Sequence, residues 1–147
     1  MRIAPLVLAS LSLVTLAACV STVEDDFGAG PMAISWDLYE EKTDDTGMTT
    51  HEVAFVVTNG ADERVAHVKL GRFAGCTQQD APADGPLLTL KCWWAGGGDD
   101  FQVRMEGTDT LVIDHRSVDE QADIPEFDPL ESVKIPEGVE VVPVAAR

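Results

Sequence analysis

Cations are scarce in this chain. Its 147 residues hold 10 Lys and Arg against 26 Asp and Glu, a formal charge of -16 and a sequence pI near 4.2. A nucleic-acid partner would demand a basic face to neutralise phosphates, and the balance argues against one. Cysteine is also sparse, with three in all, and there is a single Tyr. Catalytic templates are incomplete. His51-Glu52 starts like a zinc-protease helix motif, but Phe55 stands where the second His is required, and the segment alternates like a strand. Gly28-Ala29-Gly30-Pro31-Met32-Ala33 fits a loose dinucleotide fingerprint, yet no strand precedes it and Pro31 breaks the helix that must follow. No Gly-x-Ser-x-Gly, phosphate loop with its Lys, or helix-loop-helix calcium loop occurs. The pattern therefore supplies no catalytic residue, metal ligand set or cofactor site.

What is present starts at the N-terminus. After Met1-Arg2 an uncharged apolar run from Ile3 to Leu16 leads to Ala17, Ala18 and Cys19, the anatomy of a signal peptide. Pro5, Ser10, Ser12 and Thr15 interrupt the run and Glu24 ends it, which is short of the roughly 20 apolar residues of a spanning helix. The tetrad Leu16-Ala17-Ala18-Cys19 resembles the lipobox of bacterial lipoproteins at every position. The resemblance covers the leader alone. It implies a diacylglyceryl group on the Cys19 thiol, cleavage just before Cys19, and, in many Gram-negative bacteria, acylation of the new amine. Two or three acyl chains hold a protein where one would release it. The implied location is the bacterial cell envelope, with the membrane as a partner through the lipid anchor. Because Val20, and not Asp, follows the Cys, the sorting pattern of that class favours the outer membrane if the organism is Gram-negative.

Removal of residues 1–18 takes away Arg2 and no acid, so the mature charge moves from -16 to -17. Residues 19–33, with Glu24-Asp25-Asp26 and Gly28-Ala29-Gly30-Pro31, bury too little apolar surface to offset ordering entropy and read as a flexible tether spanning about 20 Å. Residues 34–147 read as one domain.

Within that domain the periodicity is two. Ile34, Trp36 and Leu38 alternate with Ser35, Asp37 and Tyr39, as in a half-buried strand. Glu40 to Thr49 reads as a loop turning at Asp44-Asp45-Thr46-Gly47, and Val53, Phe55 and Val57 alternate next. Asn59-Gly60 opens a hairpin connection into Arg64 to Phe73. Gly75 to Pro86 reads as loop, and Leu87 to Trp94, Phe101 to Glu106 and Leu111 to Arg116 as strands. Their turns fall at Gly96 to Asp100 and Gly107 to Asp109, while Val133 to Ile135 and Val139 to Val142 suit edge strands among the late prolines. No useful helical stretch or internal repeat occurs. The expected fold is all-β, a small antiparallel sandwich with one disulfide.

The disulfide follows from parity. With Cys19 given to lipid, Cys76 and Cys92 remain as a pair in an oxidising compartment. The bond is expected to pin the Gln78 to Pro86 loop against the sheet.

Three further features bear on function. In Asp114-His115-Arg116 the alternation of a strand puts Asp114 and Arg116 on one face, as an ion pair, and His115 on the other. Gly96-Gly97-Gly98 with Asp99 and Asp100 reads as a flexible acidic turn, the alternative being a weak hard-cation site on those carboxylates. Trp94 shares the parity of Leu88, Leu90 and Cys92 and is expected in the core. Trp93 has the opposite parity; either a loop or the second sheet covers it, or it is exposed as a contact for an envelope protein or glycan. The functional expectation is a non-catalytic binding or structural module of the cell envelope. Its alternative is a metal-dependent enzyme or hydrolase assembled from Asp and His on separate strands.

Overall fold

The computed structural model describes residues 30–119 and 123–145. The leader, Cys19 and most of the tether lie outside the described residues. Nine strands follow in chain order: β1 (Met32–Thr43), β2 (Thr49–Thr58), β3 (Arg64–Phe73), β4 (Gly75–Gln79), β5 (Leu88–Trp94), β6 (Gly97–Glu106), β7 (Thr110–Val118), β8 (Asp128–Lys134) and β9 (Val141–Pro143). No helix occurs among the described residues. One sheet has the order β3-β2-β1-β9 and the other β4-β5-β6-β7-β8. All pairs are antiparallel except β9, which returns from the second sheet and joins β1 in parallel.

The two sheets close on one core. Met32, Ile34 and Trp36 of β1 and Val53, Phe55 and Val57 of β2 bury against Leu88, Leu90, Cys92, Phe101, Val103, Leu111 and Ile113 of the second sheet. Each set follows the two-residue repeat, because successive side chains leave a strand on opposite faces. The fold is thus the β-sandwich that the alternation predicts.

β8 runs over Asp128–Lys134 where Val133 to Ile135 was expected, because an edge strand exposed along most of its length carries no apolar alternation, and β9 over Val141–Pro143 where Val139 to Val142 was expected. Three other boundaries also differ, each for a local physical reason. First, β1 starts at Met32, which is buried in the core, so the domain takes up two residues assigned to the tether. The same strand runs on to Thr43 through polar residues, crossing an irregularity between Tyr39 and Lys42 where Glu40 has a φ of 48°. Arg72 of β3 holds that bend: its guanidinium donates to the Glu40 carbonyl at 2.7 Å and the Thr50 carbonyl at 3.3 Å. The loop expected over 40–49 contracts to the turn itself. There Asp44 Oδ1 accepts hydrogen bonds from Thr46 N (2.8 Å), Thr46 Oγ1 (2.6 Å) and Met48 N (3.0 Å). These donors hold the Asp44 carboxyl below its usual range, the Thr46 hydroxyl contributing most.

Second, residues 75–79 form β4 and are not loop. The strand is short, and its inward positions are Cys76 and Gln78, so no apolar alternation marks it. Gln78 is accommodated because its Oε1 accepts from Trp36 Nε1 at 3.0 Å across the sandwich. Third, β6 starts at Gly97, and the glycine-rich turn shrinks to Ala95-Gly96.

The disulfide forms as expected, Cys76 to Cys92 with an S–S distance of 2.05 Å, but its setting differs. The two residues sit directly opposite each other on β4 and β5, so the bond ties an edge strand to its neighbour.

The path of the chain defines two ends. Met32, the β2–β3 turn, the β4–β5 loop and the β6–β7 turn lie at one. The β1–β2 turn, the corner at Ala74, the β5–β6 turn and the β7–β8 connection lie at the other. A strand as long as β1 separates them by roughly 35 Å.

Candidate functional site

The polar chemistry of the molecule gathers on β6 and β7, and alternation divides it between two faces. On the outward face, Asp100 lies opposite Arg116 and Gln102 opposite Asp114. Arg116 Nη2 and Nε donate to Asp100 Oδ2 at 2.8 and 3.0 Å, and the guanidinium also lies 4.3 Å over the Phe127 ring. Asp114 receives Arg104 Nε at 2.8 Å and Gln102 Nε2 at 3.0 Å on the same oxygen. The two acids are 6% and 3% exposed. Carboxylates this far from water require such partners. The hydrogen bond to Asp114 holds Arg104 still more firmly protonated than a free guanidinium.

Asp114 and Arg116 do share a face, as the alternation requires, but they are not each other's partners. Opposite positions on neighbouring strands lie closer than positions two apart on one strand, so Arg116 takes Asp100 and Asp114 takes Gln102 directly across, and Asp114 is also reached diagonally by Arg104. Depressions of about 430 Å³ beside Asp84–Leu87 and about 370 Å³ beside Pro129–Ser132 both use Arg104 as a wall. Its guanidinium is committed to Asp114 and, at 3.5 Å, to Glu106.

On the core-facing side, Asp99, His115 and Ser117 meet at the end of the sandwich remote from Met32. His115 Nε2 lies 3.0 Å from Asp99 Oδ1, and Ser117 Oγ donates to the same oxygen at 3.0 Å. The His115 ring also packs 5.1 Å from Phe101. An Asp and a His from separate strands are thus adjacent. The connectivity is wrong for nucleophilic catalysis, in which the imidazole must take the serine proton. Here serine and histidine both turn to the carboxylate.

Asp99 and Asp100 project to opposite faces, Asp99 to His115 and Asp100 to Arg116, so they cannot chelate one cation together. His51 and His67 lie on β2 and β3, and the His67 ring packs 5.4 Å from Tyr39. No group of three or more His, Cys, Asp or Glu poised to hold a metal occurs among the described residues.

Trp93 and Trp94 occupy this same remote end, while Trp36 lies in the core. Trp94 has the inward parity expected of it but stands at the last position of β5, beyond the filled core, and is 38% exposed. It stacks on Phe73, ring centroids 5.7 Å apart, at the mouth of the sandwich. Leu38, also of inward parity, is 43% exposed there. The expectation of a core Trp94 fails because parity sets the face and says nothing of how far along a strand the core extends.

Trp93 is exposed, at 45%. Its partners across the sheet are Gly75 on β4 and Gly98 on β6. The ring lies over Gly75 so closely that a Cβ there would come within 2.5 Å of Cζ2. Glycine at position 75 leaves the room that the indole fills; a Cβ at Gly98 would meet the Cys92 carbonyl and not the ring. This packing was legible in the sequence only as Gly75, a residue that reads as loop until the register of β4 is known.

Comparison of the chain with family models, with curated proteins and with solved structures gives no match.

Proposed function

We propose that this protein is a lipid-anchored, non-catalytic binding module of the bacterial cell envelope, held to its membrane through Cys19 and presenting its remote end to an envelope partner. The anchor rests on the lipobox Leu16-Ala17-Ala18-Cys19. The observation that carries the binding role is the pair of exposed indoles, Trp93 and Trp94, at the end opposite Met32, where the chain enters the domain. Indoles are costly to leave in water and are enriched where proteins make contacts. A tether of about 20 Å followed by a strand of roughly 35 Å carries that end well clear of the lipid surface. The acidic charge keeps the domain off anionic headgroups.

Two measurements test the reading. Metabolic labelling with an alkyne fatty acid is expected to mark the wild type and not Cys19→Ala; equal labelling rejects the anchor. A photo-crosslinking amino acid at position 93 in intact cells is expected to give a discrete adduct, and the same group at exposed Glu137, at the opposite end, none. Indistinguishable patterns from the two positions reject the remote end as the contact surface.

A further inference from the structure

We infer that the outward face of β4 and β5 is a glycan-binding platform that stacks a sugar on Trp93 and takes a carboxylate of the same strand on Lys91. The inference rests on the binding-module reading and names the ligand class for it. The indole packs over Gly75 and is still 45% exposed, so ring surface remains free to stack. The apolar C–H face of a pyranose matches such a surface, and the ring needs no reordering to receive it.

Along the same face run Thr77 and Gln79 of β4 and Thr89 and Lys91 of β5, paired as Thr77 with Lys91 and Gln79 with Thr89. Their side chains hold no hydrogen-bond or ion-pair partner among the described residues. Their spacings, about 7 Å along a strand and about 4.8 Å between strands, set hydroxyls, an amide and an ammonium beside the ring at intervals a saccharide chain can follow. Charge selects among glycans. The domain is strongly acidic, yet this face carries no carboxylate on β4 or β5, and Asp100 next to it is engaged by Arg116. Lys91 is exposed and has no ion-pair partner among the described residues, whereas Arg104, Arg116 and Lys134 of the same sheet are paired with acids. Such an ammonium beside an aromatic ring fits a glycan strand with spaced carboxylates.

The test is co-sedimentation of the detergent-solubilised full-length protein with purified peptidoglycan sacculi, whose glycan is substituted at intervals with carboxylate-bearing peptides, and with chitin, whose glycan carries no carboxylate. Sacculi are expected to retain the wild type more strongly than chitin. Trp93→Ala should weaken retention on both about tenfold. Lys91→Glu, an exposed change that leaves the core untouched, should weaken retention on sacculi about threefold and leave chitin unchanged. Melting curves confirm that each variant is folded. Failure of the wild type to sediment, or retention unaffected by both substitutions, overturns the inference. A protein adduct at position 93 together with no sedimentation overturns the glycan and leaves the binding-module reading standing.

Discussion

The two faces of β6 and β7 leave water by different physics. On the inner face Phe101, Val103, Leu111 and Ile113 are almost wholly buried, as are Asp100 and Asp114 on the outer face. The inner set is held by area, which is non-directional and grows with each buried methylene. The outer set is held by direction: each carboxylate is satisfied by one or two donors from the opposite strand, and each interaction mainly cancels the cost of its own burial. Equal burial therefore does not mean equal contribution to stability, and the inner face should tolerate truncation far less well.

Phe101→Ala should give the largest effect, a loss of about 3–5 kcal/mol read from urea unfolding, because it opens a cavity between the sheets. A loss under about 1 kcal/mol would show that the sandwich does not depend on this interdigitation. Cys92→Ser should cost about 3 kcal/mol, since the bond closes a loop between positions 16 apart. Under reducing conditions the wild type should fall to the stability of the variant, so that the difference between them vanishes.

The outer face predicts an asymmetry. Arg104→Ala strands the Asp114 carboxylate with Gln102 alone and should cost about 2 kcal/mol, a figure discounted because the guanidinium is 36% exposed. Asp114→Ala frees a guanidinium that can reach water and should cost about 1 kcal/mol. Equal costs, or the reverse order, would mean that the pair is held by attraction and not by the penalty of an orphaned acid.

The smallest effect is expected from acid. Asp44 is exposed and Asp109 half-buried, with pKa values lowered chiefly by the hydroxyls of Thr46 and Thr110, and Asp109 also by Lys134. A lowered folded pKa adds stability that is fully present above the unfolded carboxylate value, about 3.9, and is lost as pH falls through the folded one. Asp44→Asn should therefore flatten the fall in melting temperature below about pH 4 and leave the slope above pH 5 unchanged. An altered slope at neutral pH would contradict this assignment.

Legibility along the chain tracked whether a residue's role is local. Strands with apolar alternation, such as Val53 to Val57 and Leu111 to Arg116, could be read because period two is a property of one strand. Residues 75–79 could not, since the inward Gln78 is tolerated through Trp36, 42 positions away. Trp93 shows both cases. Its outward parity is local, while the space its ring fills requires Gly75 to be brought alongside by strand pairing.

The sequence by itself determined the all-β class, the sandwich, the Cys76–Cys92 pair and the face on which residues of the alternating strands stand, because alternation and cysteine parity need no knowledge of neighbours. Tertiary structure alone decided which residues meet: Asp114 with Arg104 and Gln102, Asp99 with His115 and Ser117, Trp94 at the mouth and not in the core. Those outcomes depend on register and on where along each strand the opposite sheet ends. Both are settled by long-range packing, and neither leaves a mark on the local order of residues.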